Sequence, residues 1–321
     1  MGISITKNNI DKSIILQMIN KAFPTELVKE IIELTEGFFN IAFKIVLEDK
    51  NIILKVAPPV DTEVMTYEEN IMWSEVNAMK MIAEKTSIPV PKILYYDNSH
   101  TICESEYFFM EMLQGSSFSS VINNMSKDEK DKIYFEMGQY TKIINNIKNN
   151  KFGYYGQKEK QNKSWYITFK EMIIDIYSDA KRKDIIIPIS QEDILILLEK
   201  DKKIFDSVHI AKLVHWDIWA GNVFVKNNTI EGIIDFERCL WADELMEVGF
   251  RTYDYQEAFY AGYGIEKLSN EEIRRSKWYD IYLFLISCLE CNYRMYDNMD
   301  TYIWGCDMLT NWIKQFKKAN K

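Results

Sequence analysis

The run from Leu213 to Glu237, LVHWDIWAGNVFVKNNTIEGIIDFE, constrains this chain more than any other stretch. Two short apolar β-type segments, Val223–Val225 and Gly232–Ile234, flank a polar turn at Lys226–Thr229, so the chain doubles back there. A polar loop precedes the first strand and Asp235 ends the second. The two strand ends therefore deliver Asp217, Asn222 and Asp235 to one place.

His215, Asp217 and Asn222 stand as H-x-D-x4-N, and Asp235 opens D-F-E eighteen residues after Asp217. An H-x-D in a loop is common by itself, because Asp and Asn also serve turns and caps. The joint requirement of loop, strand, turn, strand and carboxylate is far more selective. It is the spacing by which phosphoryl-transfer enzymes set a catalytic carboxylate and two metal ligands around a nucleotide's phosphates.

At 321 residues the chain is long enough for two domains or one bilobal unit, and its 47% apolar and 27% charged residues are ordinary for a soluble globular protein. A net charge of −9 argues against a nucleic-acid or anionic-membrane footprint and suits cationic small molecules. The longest apolar run, Ile281–Leu289, falls far short of the ~20 residues of a membrane helix. No basic region followed by an apolar core opens the sequence, so no secretory signal is expected. Five cysteines make no disulfide framework, and a reducing cytoplasm is the expected location. Cys288 and Cys291 form C-x-x-C inside an apolar helical run without a second ligand pair for zinc. They are expected to pack as small apolar side chains.

Helical spacing over Asp11–Phe23 ends at Pro24. Three β-type segments follow between Leu27 and Val56, with turns at Gly37 and Glu48–Asn51, as in an antiparallel meander. Lys55 lies in the third segment between Leu54 and Val56, where a charge needs water or a partner. Glu75, in the helical stretch Met65–Glu84, is the expected partner, with Glu68 and Glu69 as rivals on the same helix. Gly37 and Asn40 in EGFFN mark a turn whose backbone N–H groups could meet phosphate oxygens. Two further strands lie in the segments SIPVPKILYYD and SEYFFMEMLQG, and the backbone of Glu111 and Leu113 at the exit of the second could meet an adenine ring. We expect a lobe boundary there, dividing residues 1–114 from 115–321.

The remainder is expected to be mostly helical. A capping box at Ser126–Glu129 opens a helix to about Asn149. Further helices are expected at Trp165–Lys181, Gln191–Phe205, Leu245–Ala261, from near Ser269 to Met295, and at Thr301–Lys318.

Taken together, Gly37 with Asn40, Lys55, Glu75, FFMEMLQG, HWDIWAGN, IIDFE and WADELMEVGF resemble the aminoglycoside phosphotransferase family, the small-molecule branch of the protein-kinase-like fold. The resemblance spans nearly the whole chain. It implies an α+β bilobal fold, with an antiparallel sheet and one main helix in the N-terminal lobe and a larger helical C-terminal lobe. It also implies that Asp217 orients the acceptor hydroxyl and takes its proton, and that Asn222 and Asp235 hold magnesium. Lys55, held by Glu75, would contact the α- and β-phosphates, and Glu111 and Leu113 would bind adenine. His215 is expected to brace the loop.

The sequence departs from the family at Trp216, where many members carry Gly, and at Phe39, where a small hydroxyl residue is usual. Trp219 could line the acceptor groove and Glu237 could pair with substrate ammonium groups. The multi-glycine loop, the A-P-E segment and the H-R-D form of protein kinases are missing, so a protein substrate is not expected. The resulting expectation is an ATP- and magnesium-dependent O-phosphotransferase, with GTP as an open alternative, for an aminoglycoside or related amino sugar. No protein partner is implied. A metabolic kinase for choline, a sugar amine, a methylthio-sugar or a macrolide is the first alternative. A nucleotide-binding module without turnover is the second.

Overall fold

The computed structural model describes residues 10–34 and 40–319. It begins with α1 (Lys12–Ala22), followed by β1 (Val28–Leu34), β2 (Ile41–Leu47) and β3 (Asn51–Val56). After α2 (Ile71–Lys85) come β4 (Ile93–Asp97) and β5 (Tyr107–Glu111). The five strands form one sheet in the order β1-β2-β3-β5-β4, with every neighbouring pair antiparallel.

Strand alternation decides which side chain meets which helix. Ile52, Leu54 and Val56 of β3 and Tyr107 and Phe109 of β5 join Ile15, Met18 and Ile19 of α1 in one core. Ile53, Phe108 and Met110 point the other way, into the larger core that includes α2. Lys55 has the parity of Ile53, so its side chain emerges on the α2 face, with Phe108 as its cross-strand partner. Asp97 ties α1 to the sheet by accepting from Lys21 Nζ at 2.6 Å and Tyr107 Oη at 2.8 Å.

The helix expected over Met65–Glu84 starts six residues late. Thr66–Glu68 is a 3₁₀ turn, and Asn70, at φ +59°, is left-handed and breaks the helix before Ile71. Glu68 turns away to Arg294 (2.7 Å) and Glu69 to Lys160 (3.3 Å), which leaves Glu75 facing the sheet.

Beyond Leu113 the chain forms β6 (Ser116–Ser117), α3 (Phe118–Val121) and α4 (Lys127–Asn145), whose capping box at Ser126 and Glu129 is present. β7 (Lys148–Asn149) takes the place of the expected last turn of that helix, and β8 (Gly153–Tyr154) follows. α5 (Trp165–Arg182) is as expected, whereas Gln191–Phe205 is divided at Asp201 into α6 (Gln191–Lys200) and α7 (Lys202–Asp206). The hairpin of β10 (Val223–Lys226) and β11 (Thr229–Ile233) pairs with β6. β9 (Ala211–Val214) and β12 (Leu240–Ala242) complete a second small sheet in the order β7-β9-β12-β8.

The helix expected over Leu245–Ala261 does not form. Two 3₁₀ turns, Glu244–Met246 and Val248–Phe250, are separated by Glu247 in an extended conformation, and only α8 (Glu257–Tyr263) is helical. α9 (Asn270–Tyr293) and α10 (Asp300–Ala319) pack together at the end of the chain. Among the described residues, no helix is long and apolar enough to cross a membrane.

Candidate active site

β9 runs into the loop that carries Asp217. The turn is abrupt, because Trp216 adopts φ +65°, a left-handed conformation that costs a bulky residue energy. Glu247 holds that backbone in place. Its carboxylate accepts the N–H groups of His215 at 2.9 Å and Trp216 at 3.1 Å, together with Asn145 Nδ2 at 2.9 Å. Asn145 in turn donates to Leu213 O and accepts from Tyr263 Oη. Burial pushes the Glu247 carboxyl up to about 7, against the pull of these donors.

His215 is fully buried against Phe236, with ring centroids 4.2 Å apart. Its Nδ1 accepts the Asp217 N–H at 3.2 Å, so Nε2 carries the proton and donates to Ile234 O at 3.0 Å. With both nitrogens engaged the ring braces the loop, as the sequence suggests, and burial lowers its pKa to about 4. The unfolded chain therefore binds a proton at His215 that the folded chain refuses. Stability is expected to fall by about 1 to 3 kcal/mol as pH drops from about 6.5 towards 4, a loss that His215→Asn should largely remove in denaturation measured across that range.

Asn222 spends its amide N–H groups on Asp217 O at 2.9 Å and Asp217 Oδ2 at 3.1 Å, leaving its amide oxygen as an acceptor. Burial raises Asp217 to about 6; Arg238 opposes the shift and Asp235 adds to it. The strand that returns from this hairpin ends at Ile233, and two residues on Asp235, at φ +70°, bends the chain sharply and presents its carboxylate to the sheet lobe.

There it meets Lys55, whose Nζ lies 2.6 Å from Glu75 Oε1 and 2.7 Å from Asp235 Oδ1. Burial works against the lysine charge, but Asp235 and Glu75 outweigh it and hold the ammonium protonated well above its usual range. Glu75 has no solvent exposure; burial raises it to about 7, against the attraction of Lys55. Asp235 resists burial through its contact with Lys55 and is held below its usual value. The structure thus brings Asp217, Asn222, Asp235, Lys55 and Glu75 into one continuous set.

Glu237, expected beside a cationic acceptor, follows Asp235 by two residues. It is buried on the inner side of the site and accepts Asn40 Nδ2 at 3.0 Å. Burial and the neighbouring Asp235 raise it to about 8. Asn40 therefore joins the two lobes through its side chain; Gly37 and Phe39 lie outside the described residues. Trp219 is 39% exposed and its indole covers Gly221, so its ring remains available to line a groove. The N–H of Glu111 is committed to Lys92 O at 3.0 Å, so that residue has only its carbonyl to offer an adenine ring. Leu113 packs against Gly232 at the exit of β5.

Glu75, Asp235 and Glu237 place carboxylate oxygens within 4.8 Å of one another. Hard oxygen donors in this density, with the free amide oxygen of Asn222 on the Asp217 side, fit a divalent cation such as magnesium. Residues missed in the sequence are Glu247, Asn145 and the Arg238–Glu290 pair, 3.0 Å apart, whose guanidinium lies over the rings of Tyr67 and Trp216. Glu247 was visible only as part of WADELMEVGF, where its spacing reads as helical.

The family model described as the phosphotransferase enzyme family matches residues 30–279. Similar solved structures include a candidate fructosamine-3-kinase from Haemophilus somnus 129PT, at 19% identity and TM-score 0.70, covering 94% of this chain and 96% of that one. The streptomycin–ATP ternary complex of APH(2″)-IIa is 16% identical, covers 95% of this chain and 97% of its own, and has a TM-score of 0.62. A candidate aminoglycoside phosphotransferase from Ralstonia eutropha JMP134 is 13% identical, with 97% and 99% covered and a TM-score of 0.64. At these identities the likeness is one of fold, and it agrees with the α+β, bilobal, protein-kinase-like arrangement that the sequence implies. No curated protein sequence matches the chain.

Proposed function

The chain belongs to the phosphotransferase enzyme family, and from that premise we propose that it is an ATP- and magnesium-dependent O-phosphotransferase whose acceptor is a hydroxyl of a small cationic molecule. An aminoglycoside or related amino sugar is the leading acceptor. The observation that carries this reading is the placement of Lys55 Nζ between Glu75 and Asp235, with Asp217 beside Asn222 in the same site. That is a phosphate-holding cation next to a carboxylate free to take a proton.

In this reading Lys55, kept in position by Glu75, contacts the α- and β-phosphates. Asp217 orients the acceptor hydroxyl and accepts its proton as the new O–P bond forms and the bond to ADP breaks. Asn222 and Asp235 would hold magnesium, which offsets charge on the phosphate oxygens when bound. Adenine would sit against the backbone of Glu111 and Leu113. We place the lobe boundary between Gln114 and Gly115. The linker there is pinned to β10, because a Cβ on Gly115 would lie 2.2 Å from Val225 O.

The acidic composition supports a cationic acceptor, as do the amino-sugar ligands named for structural neighbours. Five free thiols support a reducing, cytoplasmic setting. An ADP-release screen with Mg-ATP and chemically diverse hydroxylated amines tests the proposal. Acceptor-dependent ADP release with aminoglycosides is the expected result. Release only with other acceptors would overturn the amino-sugar assignment, and release with none of them would overturn the transferase reading.

A further inference from the structure

Around β8 and ahead of α5 the chain makes a loop that takes no part in the reaction. Phe152 and Asn162 close its base through paired backbone bonds of 2.7 and 3.0 Å. Between them the loop crosses the segment that leads into α2. Asn70 Nδ2 donates to Gly156 O at 3.2 Å, Gln157 Nε2 donates to Thr66 O at 2.7 Å, and Lys160 pairs with Glu69. The same loop reaches the other side of the site: the Tyr155 N–H donates to Cys239 O at 3.2 Å, four residues past Asp235. The Tyr155 ring lies 5.7 Å from Trp73 of α2 and 5.8 Å from Trp241 of β12.

The loop therefore joins the two segments whose carboxylates hold Lys55. The helix it touches needs such support, because α2 starts after a left-handed Asn70 that makes no side-chain cap. The tightest contact is at Gly156. A Cβ there would lie 2.4 Å from Ser74 Oγ and 3.0 Å from Asn70 O, and Ser74 immediately precedes Glu75. Gly156 is thus a spacer whose missing side chain sets how closely the loop holds α2. Glu75 depends on that spacing, since only its Oε1 has a partner while Oε2 is buried without one.

We propose that the loop spanning residues 152–162 is a positioning device, in which Gly156 fixes the seat of α2 so that Glu75 meets Lys55. The inference rests on the reading of Lys55 as the phosphate-holding group. Gly156 and its neighbours act through Glu75 and touch no substrate.

The test is Mg-ATP affinity of the full chain by calorimetry, alongside the melting temperature of the nucleotide-free protein. Glu75→Ala should raise the Kd about tenfold or more, and Gly156→Ala should approach that loss, because small displacements of a binding group cost orders of magnitude. Ser74→Ala removes the nearest atom that an alanine at 156 would strike, leaving Asn70 O at 3.0 Å as the next contact. Alone it should change the Kd less than about twofold, and combined with Gly156→Ala it should restore affinity to within about threefold of the parent, a rescue expected of a steric contact. A general loss of stability would lower the melting temperature without this pattern. If Gly156→Ala binds Mg-ATP as tightly as the parent while Glu75→Ala does not, the loop has no positioning role. If Glu75→Ala itself binds normally, the phosphate-holding reading fails first and the loop's role with it. Should Gly156→Ala not fold, Asn70→Gly decides, because it keeps the left-handed backbone and removes only the bond to Gly156. A Kd raised about threefold supports the proposal and an unchanged Kd overturns it, in line with the loss of one hydrogen bond.

Discussion

Asp217→Ala is expected to lower the rate of phosphoryl transfer about 1,000-fold while Mg-ATP affinity changes less than about threefold, the loss typical of removing a positioned proton acceptor. The geometry separates the two effects. Asn222 Nδ2 donates both to the Asp217 carboxylate and to its backbone carbonyl, and the second bond survives the substitution. His215 and Glu247 grip the main chain at and around residue 217, so the loop should keep its path. Lys55 donates to Glu75 and Asp235 rather than to Asp217. Steady-state rates and calorimetry on the same preparation check the prediction, and a rate within tenfold of the parent would remove Asp217 from the chemistry.

The second large effect is on stability and lies in a residue that touches no substrate. Glu247→Ala is expected to destabilise the fold by about 3 to 5 kcal/mol, because it leaves several buried donors unpaired at once. Those donors are the N–H groups of His215 and Trp216 and one N–H of Asn145 Nδ2, whose other N–H keeps Leu213 O, all in the interior. Two belong to the strained turn at Trp216, so activity should fall together with stability. Glu247→Gln should lose less, since one amide oxygen still accepts although its NH₂ now faces a donor. Chemical denaturation of the three proteins measures the ranking. Equal stability of parent and Glu247→Ala would show that the turn holds itself.

What the sequence disclosed and what it concealed follow from the range of the interactions involved. Asp217, Asn222 and Asp235 were legible because a hairpin with short strands allows few arrangements of its ends. Lys55 and Glu75 were legible because strand parity and a single long helix leave few faces to choose from. The small sheet of β7, β8, β9 and β12 was not, since strands of two to four residues carry no periodicity. Leu245, Met246, Val248 and Phe250 mimic a helical face, yet Glu247 among them is turned inward by partners at 145, 215 and 216 that no local pattern reveals. The inward turn of Glu237 was hidden as well. Its charge suggested a cationic substrate, whereas the sharp bend at Asp235 carries it inward to Asn40.

In the proposed reaction Lys55, Glu75 and Asp235 form a phosphate clamp completed by a divalent cation. Calorimetric titration of ATP into the parent and Asp235→Ala proteins, each with magnesium and with a chelator, tests it most directly. The parent is expected to bind ATP at least about tenfold more tightly with magnesium, and Asp235→Ala to lose most of that difference, as expected when a carboxylate ligand is removed. Equal affinity in all four titrations would contradict the account.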